Sequence, residues 1–91
     1  MLEVKKFSAL WCGPCQTLGP IMDKVMPEYS DVIYTKVDID EDKNNGGEEI
    51  GKYGVRSVPT VILLKDGEVV DKFVGMKSES DIREFLDNNK N

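Results

Sequence analysis

The chain's two cysteines, Cys12 and Cys15, stand in the run Trp11-Cys12-Gly13-Pro14-Cys15. Two thiols at this spacing, placed where a strand gives way to a helix, suit thiol–disulfide exchange. The first sulfur would sit at a helix N-terminus, where unpaired backbone N–H groups and the macrodipole favour an anion. That environment lowers the thiol pKa and makes Cys12 a thiolate nucleophile near neutral pH. Cys15 is close enough to attack a mixed disulfide at Cys12 and release the other partner as a thiol. Pro14 suits the first helical turn, where its missing N–H would be unpaired anyway. Gly13 leaves room for another chain's backbone beside the sulfur.

Competing chemistries have little to work with. The chain has no histidine, which removes histidine acid–base catalysis, and a four-ligand zinc site would need two further cysteines or histidines. A disulfide closing so short a loop gains little chain entropy and is a poor staple. The acidic run Asp40-Glu41-Asp42 lacks the glycine and glutamate of a calcium loop, so it is expected to be a solvated turn. A net charge of −5 argues against a nucleic-acid partner. The sequence holds neither an apolar run of membrane-spanning length nor a signal-peptide core near Met1, which points to a cytoplasmic protein off the membrane. Its 91 residues suffice for one domain spanning 1–91, with no spare apolar stripe for a partner copy, hence an expected monomer.

The elements that must position the cysteines can be read from periodicity. Leu2 to Ala9 forms a strand with Val4 and Lys6 on one face and Lys5 and Phe7 on the other. Leu18, Ile21, Met22, Val25, Met26 and Tyr29 form one face of a helix, with Pro20 as a kink and Pro27 near its end. Val32 to Ile39 is β-branched and aromatic, so the first three elements make a right-handed parallel βαβ unit. Asp40 to Gly47 reads as a polar loop, and Glu48 to Tyr53 as a short helix ending at Gly54. Pro59 to Lys65 and Glu68 to Val74 form a hairpin around Asp66-Gly67. Ser78-Glu79-Ser80-Asp81 caps a last helix that buries Ile82, Phe85 and Leu86. The expected fold is α/β: a four-stranded mixed sheet, β-α-β-α-β-β-α, flanked by three helices. A C-x-x-C beside such a βαβ pattern is a known cue for a redox site.

Over nearly its whole length the chain resembles the thioredoxin family. The likeness is carried by Trp11-Cys12-Gly13-Pro14-Cys15, by Pro20, and by Tyr53-Gly54-Val55-Arg56-Ser57-Val58-Pro59-Thr60. Asp66-Gly67, Val74-Gly75 and Phe85-Leu86 extend it. The resemblance implies a cis-proline at Pro59 packed on the disulfide and an outward-facing Val58 backbone that pairs with an extended substrate. It also makes Gly75 the glycine of a substrate groove and matches Lys36 to a family lysine. Trp11, from its place beside the nucleophile, is expected to flank that groove, since aromatics are enriched where surfaces meet. The resemblance further implies disulfide-containing protein substrates and no bound cofactor beyond the Cys12–Cys15 disulfide. Recharging would fall to a flavin-containing, NADPH-driven enzyme of the thioredoxin-reductase kind.

Three departures stand out. The chain opens at the strand leading into the motif, without the usual leading strand and helix. The loop at Asn44 to Gly47 looks a few residues long. Lys6 occupies the place of a buried aspartate that the family uses as base or proton relay for its second cysteine. The Lys6 amine either reaches water, or lies near Cys15 and there lowers its pKa if charged or accepts its proton if neutral. Lys36 adds a like charge, so one of the two lysines should turn to solvent. The expected function is reduction of protein disulfides, with Cys12 as nucleophile and Cys15 as resolving thiol. The alternatives are a glutathione-coupled, glutaredoxin-like or oxidising exchanger, and a non-redox binding subunit.

Overall fold

A strand that buries side chains on both of its faces needs cover on both sides, and the first strand sets the layering in this way. β1 (Leu2–Ser8) sends Val4 into one apolar cluster and Phe7 into another, with both side chains fully enclosed. The structure, a computed structural model, describes residues 1–44 and 47–90. After β1 come α1 (Gly13–Val25), one 3-10 turn at Met26–Glu28, and β2 (Val32–Asp38). Then follow α2 (Ile39–Asn44), α3 (Glu48–Tyr53), β3 (Thr60–Lys65), β4 (Glu68–Val74) and α4 (Glu79–Asn89).

The sheet order is β2-β1-β3-β4. β1 runs parallel to β2 and antiparallel to β3, and β3 and β4 pair antiparallel. On one face Leu18, Met22 and Val25 of α1 meet Ile82 and Leu86 of α4 over Val4, Val61 and Leu63. On the other face Phe7, Val37, Ile62 and Leu64 lie beneath Ile39, Tyr53, Val55 and Val58. The hairpin turns on Asp66 (φ 53°) and Gly67 (φ 87°). Left-handed backbone at both central residues matches the twist of the strands it joins. At the start of α4 the Ser78 hydroxyl accepts the Asp81 N–H at 3.2 Å, and Arg83 donates twice to Glu28, at 3.0 and 2.7 Å, tying α4 to the 3-10 turn.

The loop expected from Asp40 to Gly47 is in part a helix, so among the described residues four helices flank the sheet where three were expected. The Asp38 carboxylate accepts the N–H of Asp40 at 2.8 Å, which satisfies a free donor at the start of α2. Asp40, Glu41 and Asp42 then fill the first turn, at the positive end of the helix dipole. Asp42 serves α3 as well, accepting the N–H groups of Glu49 (3.3 Å) and Ile50 (2.8 Å). Asn45 and Gly46, part of the loop that looks long in the sequence, lie outside the described residues. α1 runs through Pro20, which leaves one carbonyl without its helical donor. The helix stops at Val25, and Pro27 falls in the 3-10 turn, yet Tyr29 beyond it is still buried.

Leu86 is enclosed where α4 meets the sheet, so Leu86→Ala leaves a cavity and should cost about 3 kcal/mol of unfolding free energy in urea titrations. Val70→Ala on the half-exposed edge strand should stay within about 0.5 kcal/mol of the parent.

Candidate active site

β1 ends at Ser8, and a tight turn follows in which the Cys12 N–H returns to the Ala9 carbonyl at 3.2 Å. Cys12 has extended backbone (φ −89°, ψ 115°) and is the N-cap of α1, with Pro14 inside the first turn. Its Sγ accepts the N–H of Cys15 at 3.2 Å, as a serine or aspartate cap would. Its carbonyl accepts the N–H of Gln16 at 3.3 Å, while the Gln16 side chain donates to Leu10 O and closes the turn. Cys12 and Cys15 are joined as a disulfide and both are nearly enclosed, among Ala9, Ile39 and Val58. The same N–H is aimed where, in a reduced Cys12, it would hold a thiolate through a charge-assisted hydrogen bond. A Cβ on Gly13 would meet nothing within 4 Å, so the space beside the sulfur opens outward.

The second wall comes from the loop before β3. The Val58–Pro59 peptide bond is cis, Pro59 is buried, and the Val58 carbonyl lies 3.7 Å from Cys12 Sγ. Pro59 O accepts the N–H of Gly75 at 2.9 Å, and Gly75 holds φ 90°, a backbone region that other residues rarely adopt. Trp11 stands 67% exposed and shares a groove of about 120 Å³ with Ile39, Ile50, Val55 and Val58. Its indole N–H donates to Asp40 at 3.0 Å. Sequence reasoning places Asp40 in a solvated turn and misses this role. The acids following Asp38 are a helix-start signal that could have located it.

Lys6 and Lys36 are register partners on β1 and β2, and they part ways. Lys36, on the edge strand, reaches Asp23 at 2.8 Å with more than half of its side chain in water. Lys6, on a central strand, is 6% exposed and runs inward against α1. Burial pushes its pKa down from the usual lysine range, Asp23 opposes this, and the Lys36 charge adds to it. Lys6 lines a cleft of about 240 Å³ with Cys15, Gly19, Asp23 and Asp38. Among the described residues no group of three or more His, Cys, Asp and Glu is placed to hold a metal ion. No described helix is long and apolar enough to cross a membrane.

Comparison with known proteins agrees with this arrangement. The family described as Thioredoxin matches residues 2–88. Mitochondrial thioredoxin of Bos taurus is 46% identical over 84 residues, covering 91% of this chain and 48% of that protein. Thioredoxin of Bacillus subtilis is 42% identical over 81 residues, covering 88% of this chain and 74% of its own length. The chain therefore spans about half the length of the mammalian relatives it matches. Fasciola hepatica thioredoxin superposes with a TM-score of 0.86 at 37% identity, covering 98% of this chain and 81% of the other. A point mutant of thioredoxin from Halobacterium salinarum gives 0.85 at 34%, covering 99% and 75%.

The buried amine links stability to pH. The folded-state pKa of Lys6 lies below its unfolded value, so the unfolded chain binds that proton more tightly. This penalty is fully present below the folded pKa and fades as pH rises towards about 10.4, the unfolded value. Lys6→Met should therefore be more stable than the parent at about pH 7, with the advantage narrowing towards pH 10.4. Urea denaturation across that range checks it, and a pH-independent difference would mean that Lys6 titrates as an ordinary lysine.

Proposed function

This chain belongs to the thioredoxin family, and on that premise we propose that it reduces disulfides in other polypeptides by dithiol exchange. One observation carries the proposal: the Cys12 sulfur caps α1, accepts the Cys15 N–H and lies beside the Val58 carbonyl. Reduced Cys12, as thiolate, attacks one sulfur of a substrate disulfide and releases the other as a thiolate. Cys15, as thiolate, then attacks Cys12 in the resulting mixed disulfide. The Cys12–Cys15 bond forms and the second substrate thiol leaves, so two electrons have passed from the protein to the substrate.

The other residues serve this exchange. The Val58 backbone pairs with an extended substrate segment in the manner of strand addition, with Pro59 fixing the approach. Trp11 and Gly75 border the groove, while Gly13 and Pro14 keep the sulfur accessible and the helix start in register. Lys36 holds Asp23 at the far side of the cleft behind Cys15. Substrates are disulfide-containing proteins, and a thioredoxin-reductase-like enzyme drawing on NADPH restores the dithiol. The protein acts as a monomer, as one domain over 1–91, in a reducing compartment such as the cytoplasm.

Cys12→Ser should reduce turnover of a disulfide-linked test peptide to the uncatalysed rate. Cys15→Ser should retain the first attack and accumulate a mixed disulfide at Cys12, seen by mass spectrometry and removed by dithiothreitol. Full turnover by the Cys12→Ser protein would overturn the assignment.

A further inference from the structure

Resting on the exchange reading, we propose that the cleft between Arg56 and Lys72 receives an acidic side chain of the disulfide substrate. The preferred substrates are then polypeptides that carry an aspartate or glutamate near the attacked cysteine. The cleft, of about 450 Å³, lies between the loop that follows α3 and the second half of β4. Arg56 and Lys72 supply its charge, Ser57 and Thr60 add polar side chains, and the buried Ile62 forms part of its floor. No carboxylate is among the described residues that line it. In a chain of net charge −5 this is a local reversal of sign.

The surroundings leave that positive charge in place. None of the ion pairs among the described residues includes Arg56 or Lys72. Asp71, next to Lys72 on β4, turns to the opposite face of the sheet, where it accepts the Asn89 side-chain N–H of α4 at 2.9 Å. On α3, Glu49 is taken up by Lys5. Lys52 stands 5.3 Å from the centre of the Tyr53 ring, which itself lines the cleft, and adds a third cation on the α3 side.

Position ties the cleft to the reacting sulfur. Val55, Arg56 and Ser57 border both this cleft and the Trp11 groove, so the two are continuous. Arg56 comes two residues before Val58, whose carbonyl lies 3.7 Å from Cys12 Sγ. Lys72, the register partner of Ile62, comes two residues before Val74, the neighbour of Gly75. Two residues of extended chain span about 7 Å. A substrate strand added along Val58 therefore carries a side chain two or three residues from its cysteine over the cleft. Arg56 offers that side chain a planar fork matched to a carboxylate, and Lys72 a flexible point charge from the facing strand. Both cations are exposed and stand away from the disulfide, so they act on substrate capture and not on the exchange itself. Their effect belongs in KM.

The test compares disulfide-linked peptides that differ only in glutamate or glutamine about three residues from the cysteine, on its N-terminal or its C-terminal side. At low ionic strength the parent should favour the glutamate peptide roughly fivefold in kcat/KM on one of the two sides, the size expected of two exposed charge pairs. The gain should appear in KM with kcat equal, and fade in about 1 M NaCl, where the Debye length is about 3 Å. Arg56→Gln and Lys72→Gln should each lower the preference and together abolish it. Arg56→Glu combined with Lys72→Glu should turn it towards a lysine peptide. Inorganic phosphate should weaken the preference no more than NaCl of the same ionic strength. A loss specific to phosphate would make the cleft a site for a free anion and overturn the inference. So would a parental ratio in the folded Gln double variant, or a preference unmoved by salt. A parent that reduces neither peptide overturns the exchange reading itself, whereas one that reduces both forms equally on either side overturns only this inference.

Discussion

The contact between the Cys15 N–H and Cys12 Sγ imposes the strictest demand on this architecture. It exists only if a helix starts at Gly13, so that the donor is one of the free N–H groups of a first turn. That start requires β1 to end at Ser8 and the chain to reverse over Ala9 to Trp11. Pro14 reinforces the position from within the turn. The opposite wall must then bring the Val58 carbonyl to the same sulfur, which fixes the loop before β3 against the start of α1. Sheet, helix and loop converge on one atom, and the two apolar clusters hold them there from both faces.

Much of this is legible in the sequence, because the elements near the cysteines carry strong local signals. Alternation in β1, the apolar stripe of α1, the Asp66-Gly67 turn and the Ser78 cap each depend on neighbours close in the chain. α2 escapes such a reading, since its six residues contain one apolar position, too few to display a period. The signal that is present, Asp38 followed by three acids, is a capping signal and not a periodic one. Asp40 escapes notice as a partner of Trp11 because the two are 29 residues apart and no local pattern joins them.

The fates of Lys6 and Lys36 show a different limit. Both are lysines in strands and they are register partners. Alternation places Lys6 on the face of Val4, but it does not say which strand is central. The sheet order decides this: β1 lies between β2 and β3, so a side chain on its helix-facing side is enclosed. β2 is an edge strand, and its lysine can lean outward to Asp23 and water. Identical residue types thus end up in opposite surroundings, one enclosed and one half in water, from topology alone.

That same strand order bears on how the chain is made. β1 is synthesised before either of its neighbours, and one of them, β3, ends at Lys65, opposite Leu2 in the register. At ribosomal rates of about 5–20 residues per second, β1 and α1 spend seconds with one sheet edge open before β3 emerges. During that interval Phe7 has not met Ile62 or Leu64, its companions in the second cluster. The sheet is therefore closed from its middle, when β3 emerges and slots in beside the strand that leads to the cysteines.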